Sequence, residues 1–195
     1  MTGRMIVSAL FLSVATCTAQ TQASADFPTT DEIQLVVTQA ERSFAEYKTT
    51  VDQEADVPSA KNDSSGVEKD RELLAMAKKV IDGLKKKPDV FNSLGGLLLL
   101  TTLDDASRNA ALCSSSGIGD VGELLASNTV NVARGYQILS IAQTCVSVST
   151  QLYTVSESVS ALLGRSMKAQ NALNDKALET VNKCKAIIKA SAGTK

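Results

Sequence analysis

The chain of 195 residues carries 20 Lys and Arg against 21 Asp and Glu, with no histidine, no tryptophan and 4% aromatics. The missing histidine excludes Ser-His-Asp and Cys-His nucleophile pairs, CxxCH haem attachment and the Glu-x-x-His ligands of di-iron bundles. No basic patch is interleaved with aromatics, so nucleic acid is not an expected partner.

The N-terminus reads as a secretory signal, 1–25. Arg4 supplies a positive start, 5–15 is an apolar run, and Ala23-Ser24-Ala25 has the small-x-small pattern that signal peptidase cuts after. A cut after Ala19 is the alternative, and either leaves a single domain over about 26–195. The apolar run is too short to span a membrane comfortably. Val14-Ala15-Thr16-Cys17 also approaches a bacterial lipobox, so Cys17 is a candidate for lipidation. Thr16 departs from that pattern, in which Gly, Ala or Ser precedes the cysteine.

Thr29 and Glu32 have capping-box spacing, and Asp31 and Glu32 suit the positive end of a helix dipole. Behind them Ile33, Val37, Ala40, Phe44, Tyr47 and Val51 recur every three or four residues, which predicts an amphipathic helix to about Gln53. Residues 54–66 hold Pro58, Gly66 and little that is apolar, and read as a flexible loop. Ser65 and Glu68 repeat the capping spacing, and Leu74, Ala77, Ile81 and Leu84 predict a second helix closing at Lys85-Lys86-Lys87. Pro88 ends it and starts another.

Residues 90–103 carry no charge and predict a buried helix, with Gly95-Gly96 accommodating a closely approaching backbone. Ser114 to Gly119 reads as a turn, with Asp120 and Glu123 capping the next segment. Gly117 to Gly122, GIGDVG, lacks the spacing of a phosphate-binding GxGxxG loop. Then Ile138, Ile141, Cys145, Val148, Leu152, Val155, Val159 and Leu162 recur at alternating intervals of three and four, and Gly135 to Ser156 is uncharged. This stretch predicts a helix buried on all sides. Gly164-Arg165 reads as a reversal into a final helix with Leu173, Ala177, Val181, Cys184 and Ile188 inward. The expected fold is all-α, an antiparallel bundle of about five helices around the central uncharged helix 138–162.

An exported protein is expected to oxidise its cysteines. Of those beyond the signal, Cys145 and Cys184 each lie about 20 residues from the 164–165 reversal, which sets them level on adjacent helices. The expected bridge is Cys145–Cys184, contributing about 2–4 kcal/mol. Its rival is Cys113–Cys145, which requires Cys113 to fold back beside the uncharged helix.

No constellation of residues points to catalysis, a cofactor or a metal. The general plan of signal plus cysteine-bearing bundle is similar to that of plant inhibitors of invertase and pectin methylesterase. Their N-terminal cysteine pair is missing here, so the likeness is one of architecture alone. The expected function is that of an exported, non-catalytic bundle, periplasmic, secreted or envelope-anchored through Cys17, acting on a protein partner as inhibitor, adaptor or envelope component. The alternative is an apolar cavity or membrane-facing surface made by the uncharged helices 90–103 and 135–156, taking a lipid-like ligand.

Overall fold

The computed structural model describes residues 26–56, 64–126 and 132–192. Among them are four α-helices, one 3-10 turn and no strand: α1 (Thr30–Asp56), α2 (Ser64–Lys86), the turn Pro88–Asn92, α3 (Leu94–Ala126) and α4 (Val132–Ala192). The protein is all-α. Its contacts divide it into two compact units: Pro28–Leu163, and a second whose described residues are Asp26, Phe27 and 164–192. The expected signal peptide and residues 57–63 of the expected loop lie outside the described residues; Glu54 to Asp56 close α1, and Ser64 to Gly66 open α2.

In the first unit, α1 starts where the capping box places it. The Thr29 backbone N–H donates to Glu32 Oε2 at 2.7 Å, and the Glu32 N–H donates back to Thr29 Oγ1 at 3.3 Å. All six residues of the expected stripe, from Ile33 to Val51, are buried. On α2 the buried residues are Leu73, Ala77, Ile81 and Leu84, with Leu74 half-buried beside them. Lys87 then leaves the helical conformation and Pro88 opens the 3-10 turn, whose Phe91 is fully buried.

Gly95 and Gly96 sit in the first turn of α3, against the backbone of that preceding turn. A Cβ on Gly96 would stand 2.5 Å from the Phe91 carbonyl oxygen and 2.7 Å from Leu163 Cδ2. The expected close approach is therefore real, and it comes from the chain immediately before the helix.

Successive helices run antiparallel. Lys85 Nζ on α2 meets both Glu41 carboxylate oxygens on α1 at 2.6 Å. Asn109 on α3 donates to Asp70 on α2, while Gly95 lies against Leu84. Between α3 and α4, Asp104 faces Ser156, Ser107 exchanges hydrogen bonds with Ser149, Cys113 bonds Cys145 and Gly117 abuts Ala142. Residue numbers rise along one helix as they fall along the other. One core takes Val37 and Phe44 from α1, Ala77 and Ile81 from α2, Leu99 and Leu103 from α3, and Val148 and Leu152 from α4.

Two expected breaks are absent. The serines and glycines from Ser114 to Gly119 continue α3 as helix, although each Gly costs about 1 kcal/mol relative to Ala there. Packing offsets that cost: Gly117 admits Ala142 so closely that a Cβ would lie 3.1 Å from the alanine methyl, one turn beyond the Cys113–Cys145 bridge. Likewise Gly164 keeps a helical backbone and α4 runs through it without reversing. The expected count of about five helices falls to four among the described residues.

The uncharged helix is not enclosed on all sides. Ile138, Cys145, Val148, Leu152, Val155 and Val159 are buried as the periodicity requires, with Ile141 and Leu162 half-buried. Its opposite side is open, because a helix that packs along one stripe leaves the rest of its circumference free. Hydroxyls there turn back on their own helix: Thr144, Thr150, Thr154 and Ser158 each donate to the carbonyl four residues earlier.

The described part of the second unit is the helical segment 164–192. Ser166 and Ala169 are buried, and Glu179 pairs with Lys183 one turn on. Of the stripe expected inward, Leu173 and Cys184 are half-buried, whereas Val181 and Ile188 are exposed, Ile188 by 66%. Among the described residues, no helix is long and apolar enough to cross a membrane.

Candidate functional site: an open seam and an acidic cavity

The expected Cys145–Cys184 bridge does not form. Cys145 is bonded to Cys113, with 6.1 Å between the Cα atoms. The reversal at 164–165 on which that pairing depended is absent, since the backbone is helical through Gly164 and Arg165. The reversal that matters lies between α3 and α4 and brings Cys113 beside the uncharged helix. Cys184 is disulfide-bonded as well, not to Cys145. Cys17, the candidate for lipidation, lies outside the described residues.

The first notable feature is on the open side of α4. Val132, Leu139, Val146 and Tyr153 recur every seven residues, and they are exposed by 59%, 42%, 52% and 55%. A helix returns almost to the same angle after seven residues, so the four form one seam. Arg134 lies within its first turn and Glu157 just beyond its last member, and no charge falls between those two. Ile118 on α3, next to the Gly117 contact with Ile138 and Ala142, adds a further exposed apolar side chain near its N-terminal half. Beside Tyr153, Glu157 accepts its hydroxyl and, with a smaller contribution from Asp104, raises the phenol above its ordinary range.

The second feature is a cavity of about 590 Å³, where the C-terminal end of α1, the N-terminal end of α2, α3 and the start of α4 converge. Among the described residues, Val67, Leu112, Ile138, Ile141 and Ala142 give it apolar walls, while Glu54, Asp70, Asp120 and Glu123 contribute carboxylates and Lys69 an ammonium. Burial, then the Asp70 and Asp120 charges, push the Glu54 carboxyl above its ordinary range. Asn109 Nδ2 donates to Asp70 Oδ1 at 2.6 Å. Behind that pair lies Tyr47, 2% exposed; burial first, and then Asp70, raise its phenol, yet its hydroxyl makes no hydrogen bond of ordinary geometry. The carboxylates are dispersed around the space, and among the described residues no three metal-ligating side chains converge. The cavity takes nothing from 90–103, one of the two helices expected to line a space for an apolar ligand.

Sequence reasoning placed Glu54 in a loop and Asp120 at a helix cap, and did not single out Asp70. Nothing in their spacing shows that α1, α2 and α3 bring them together, because that depends on the register between helices. The seam did have a signal, its interval of seven, hidden behind the longer and more strictly apolar stripe on the buried side. The chain matches no protein-family model, and neither curated proteins nor solved structures give a match.

Proposed function

We propose that the protein is an exported, non-catalytic helical bundle that binds a protein partner through the open face of α4, as an inhibitor, adaptor or envelope component. The observation that carries this reading is the exposed seam Val132, Leu139, Val146 and Tyr153. Large uncharged, apolar strips are rare on the free surface of a monomeric protein. Apolar side chains at intervals of seven are the pattern by which one helix receives another lengthwise. Export is supported by the signal-like residues 1–25 and by the Cys113–Cys145 bridge, since such bonds persist in oxidising compartments.

The test is Val146→Glu, in the middle of the seam and 52% exposed. An exposed substitution of this kind changes stability by about 0.5 kcal/mol or less, so the variant melts with the parent protein. It loses the partner that the parent retains on affinity capture, while Thr49→Glu, exposed on α1, retains it. Equal retention by all three proteins overturns the reading.

A further inference from the structure

We propose that the last turn of α2, the 3-10 turn and the start of α3 form a docking surface for an anionic lipid bilayer, met from one side and not crossed. Leu94, Leu97, Leu98 and Thr101 occupy positions i, i+3, i+4 and i+7, one face of α3. All four are exposed, Leu94 by 63% and Leu97 by 53%, and Val90 on the turn is exposed with them. The same helix places Leu99, Leu103 and Ala106 in the shared core, so the leucine face is a second apolar side. Just before it stand Lys85, Lys86 and Lys87, all exposed, and from Lys85 to Leu103 the only acid is Asp89. Lysines and leucines share one end of the bundle. A Cβ on Gly95 would lie 2.9 Å from Leu84 Cδ2, so the first turn of α3 is packed on the turn of α2 that carries the lysines.

That pairing of chemistries suits a bilayer better than a protein. Exposed aliphatic side chains enter the acyl boundary, while ammonium groups on long stems reach the phosphates beside it. Protein-binding surfaces draw most of their energy from aromatic and arginine anchors, among which leucine is under-represented. The one aromatic of this stretch, Phe91, is fully buried. Lys85 is engaged by Glu41 at 2.6 Å, so Lys86 and Lys87 carry the headgroup contact. The exposed acids Asp82 and Asp89 flank the lysines in the chain and moderate the attraction. Among the described residues no helix is long and apolar enough to span a membrane, which limits the contact to the interface. The surface makes no use of the α4 seam.

The experiment is co-sedimentation of the full chain with vesicles of phosphatidylcholine alone and of an equimolar mixture with phosphatidylglycerol. Binding to the mixed vesicles and not to the neutral ones is expected, weakening as salt is raised. Lys86→Gln combined with Lys87→Gln weakens it by about 25-fold, about fivefold for each lysine near the surface. Leu94→Gln combined with Leu97→Gln weakens it by about tenfold or more. Because the chain has no tryptophan, Leu97→Trp reports on insertion, and its emission shifts to the blue with mixed vesicles. Tyr136→Trp does not shift; Tyr136 is exposed near the opposite end of the bundle, beyond the Gly117 contact with Ile138. No binding by the parent, equal binding to neutral vesicles, or an unshifted Leu97→Trp overturns the proposal. Binding that both paired variants leave unchanged, as insertion of residues 1–25 would give, overturns it too. So does lipid-free dimerisation abolished by the leucine pair, which assigns the face to a second copy. Val146→Glu binds the vesicles as the parent does, which separates this test from that of the seam.

Discussion

Removing the Cys113–Cys145 bridge with the double substitution Cys113→Ala and Cys145→Ala has a magnitude set by the connectivity. The bridge closes a loop with a sequence separation of 32. By the loop-entropy relation, that constrains the unfolded chain by about 3.7 kcal/mol at 25 °C. Cys145 is fully buried, and trimming it to Ala adds a small packing loss. For a unit the size of Pro28–Leu163, each kcal/mol moves the melting temperature by about 3–4 °C. The transition is therefore expected to fall by about 12 °C in differential scanning calorimetry without reductant. Cys184→Ala removes a bridge that does not involve Cys145, and leaves the transition of Pro28–Leu163 in place. A fall of less than about 4 °C in the double variant, or a non-reducing peptide map joining Cys145 to any residue but Cys113, refutes the reasoning.

Three further outcomes are expected. Gly96→Ala drives a methyl into the Phe91 carbonyl and Leu163 and destabilises by about 1–3 kcal/mol, whereas Gly83→Ala, with open space around it, stabilises α2 by about 1 kcal/mol; urea unfolding separates the two. Leu152→Ala empties a fully buried position in the shared core and costs about 2–5 kcal/mol in the same assay. Glu54 has its carboxyl raised in the folded state, so its favourable contribution is complete below the ordinary glutamate range and is lost as pH rises through the raised value. Glu54→Gln should therefore be more stable than the parent at pH 7 and lose that advantage below about pH 4; an advantage that grows on acidification contradicts the assigned cause.

Local order was legible in the sequence, and the order between helices was not. The Thr29–Glu32 box, the α1 stripe and the stop at Pro88 depend on neighbours within one turn, and each appears where the residues place it. The uncharged stretch was correctly helical with its buried stripe in register. Enclosure on all sides was inferred from missing charge, and serine and threonine can face water as well as any neighbour. The turns were the weak point. Gly164 and the run from Ser114 to Gly119 have the composition of breaks, but a glycine inside a helix is a modest cost that packing can outweigh. The cysteine arithmetic was sound and centred on the wrong reversal. Centred between α3 and α4, it sets Cys113 level with Cys145, the pair the structure joins. The cavity was beyond reach for a related reason, since Glu54, Asp70 and Asp120 meet only through the register of three helices.

The claim on which the account turns is that the open side of α4 is covered by another protein. Photo-crosslinking residues placed singly at Leu139, Val146 and, as a control, Thr49 on α1 test it in the compartment where the protein resides. Adducts of one common mass from 139 and 146, and none from 49, are the predicted result. No adduct from the seam, or the same adducts from the control, would contradict it.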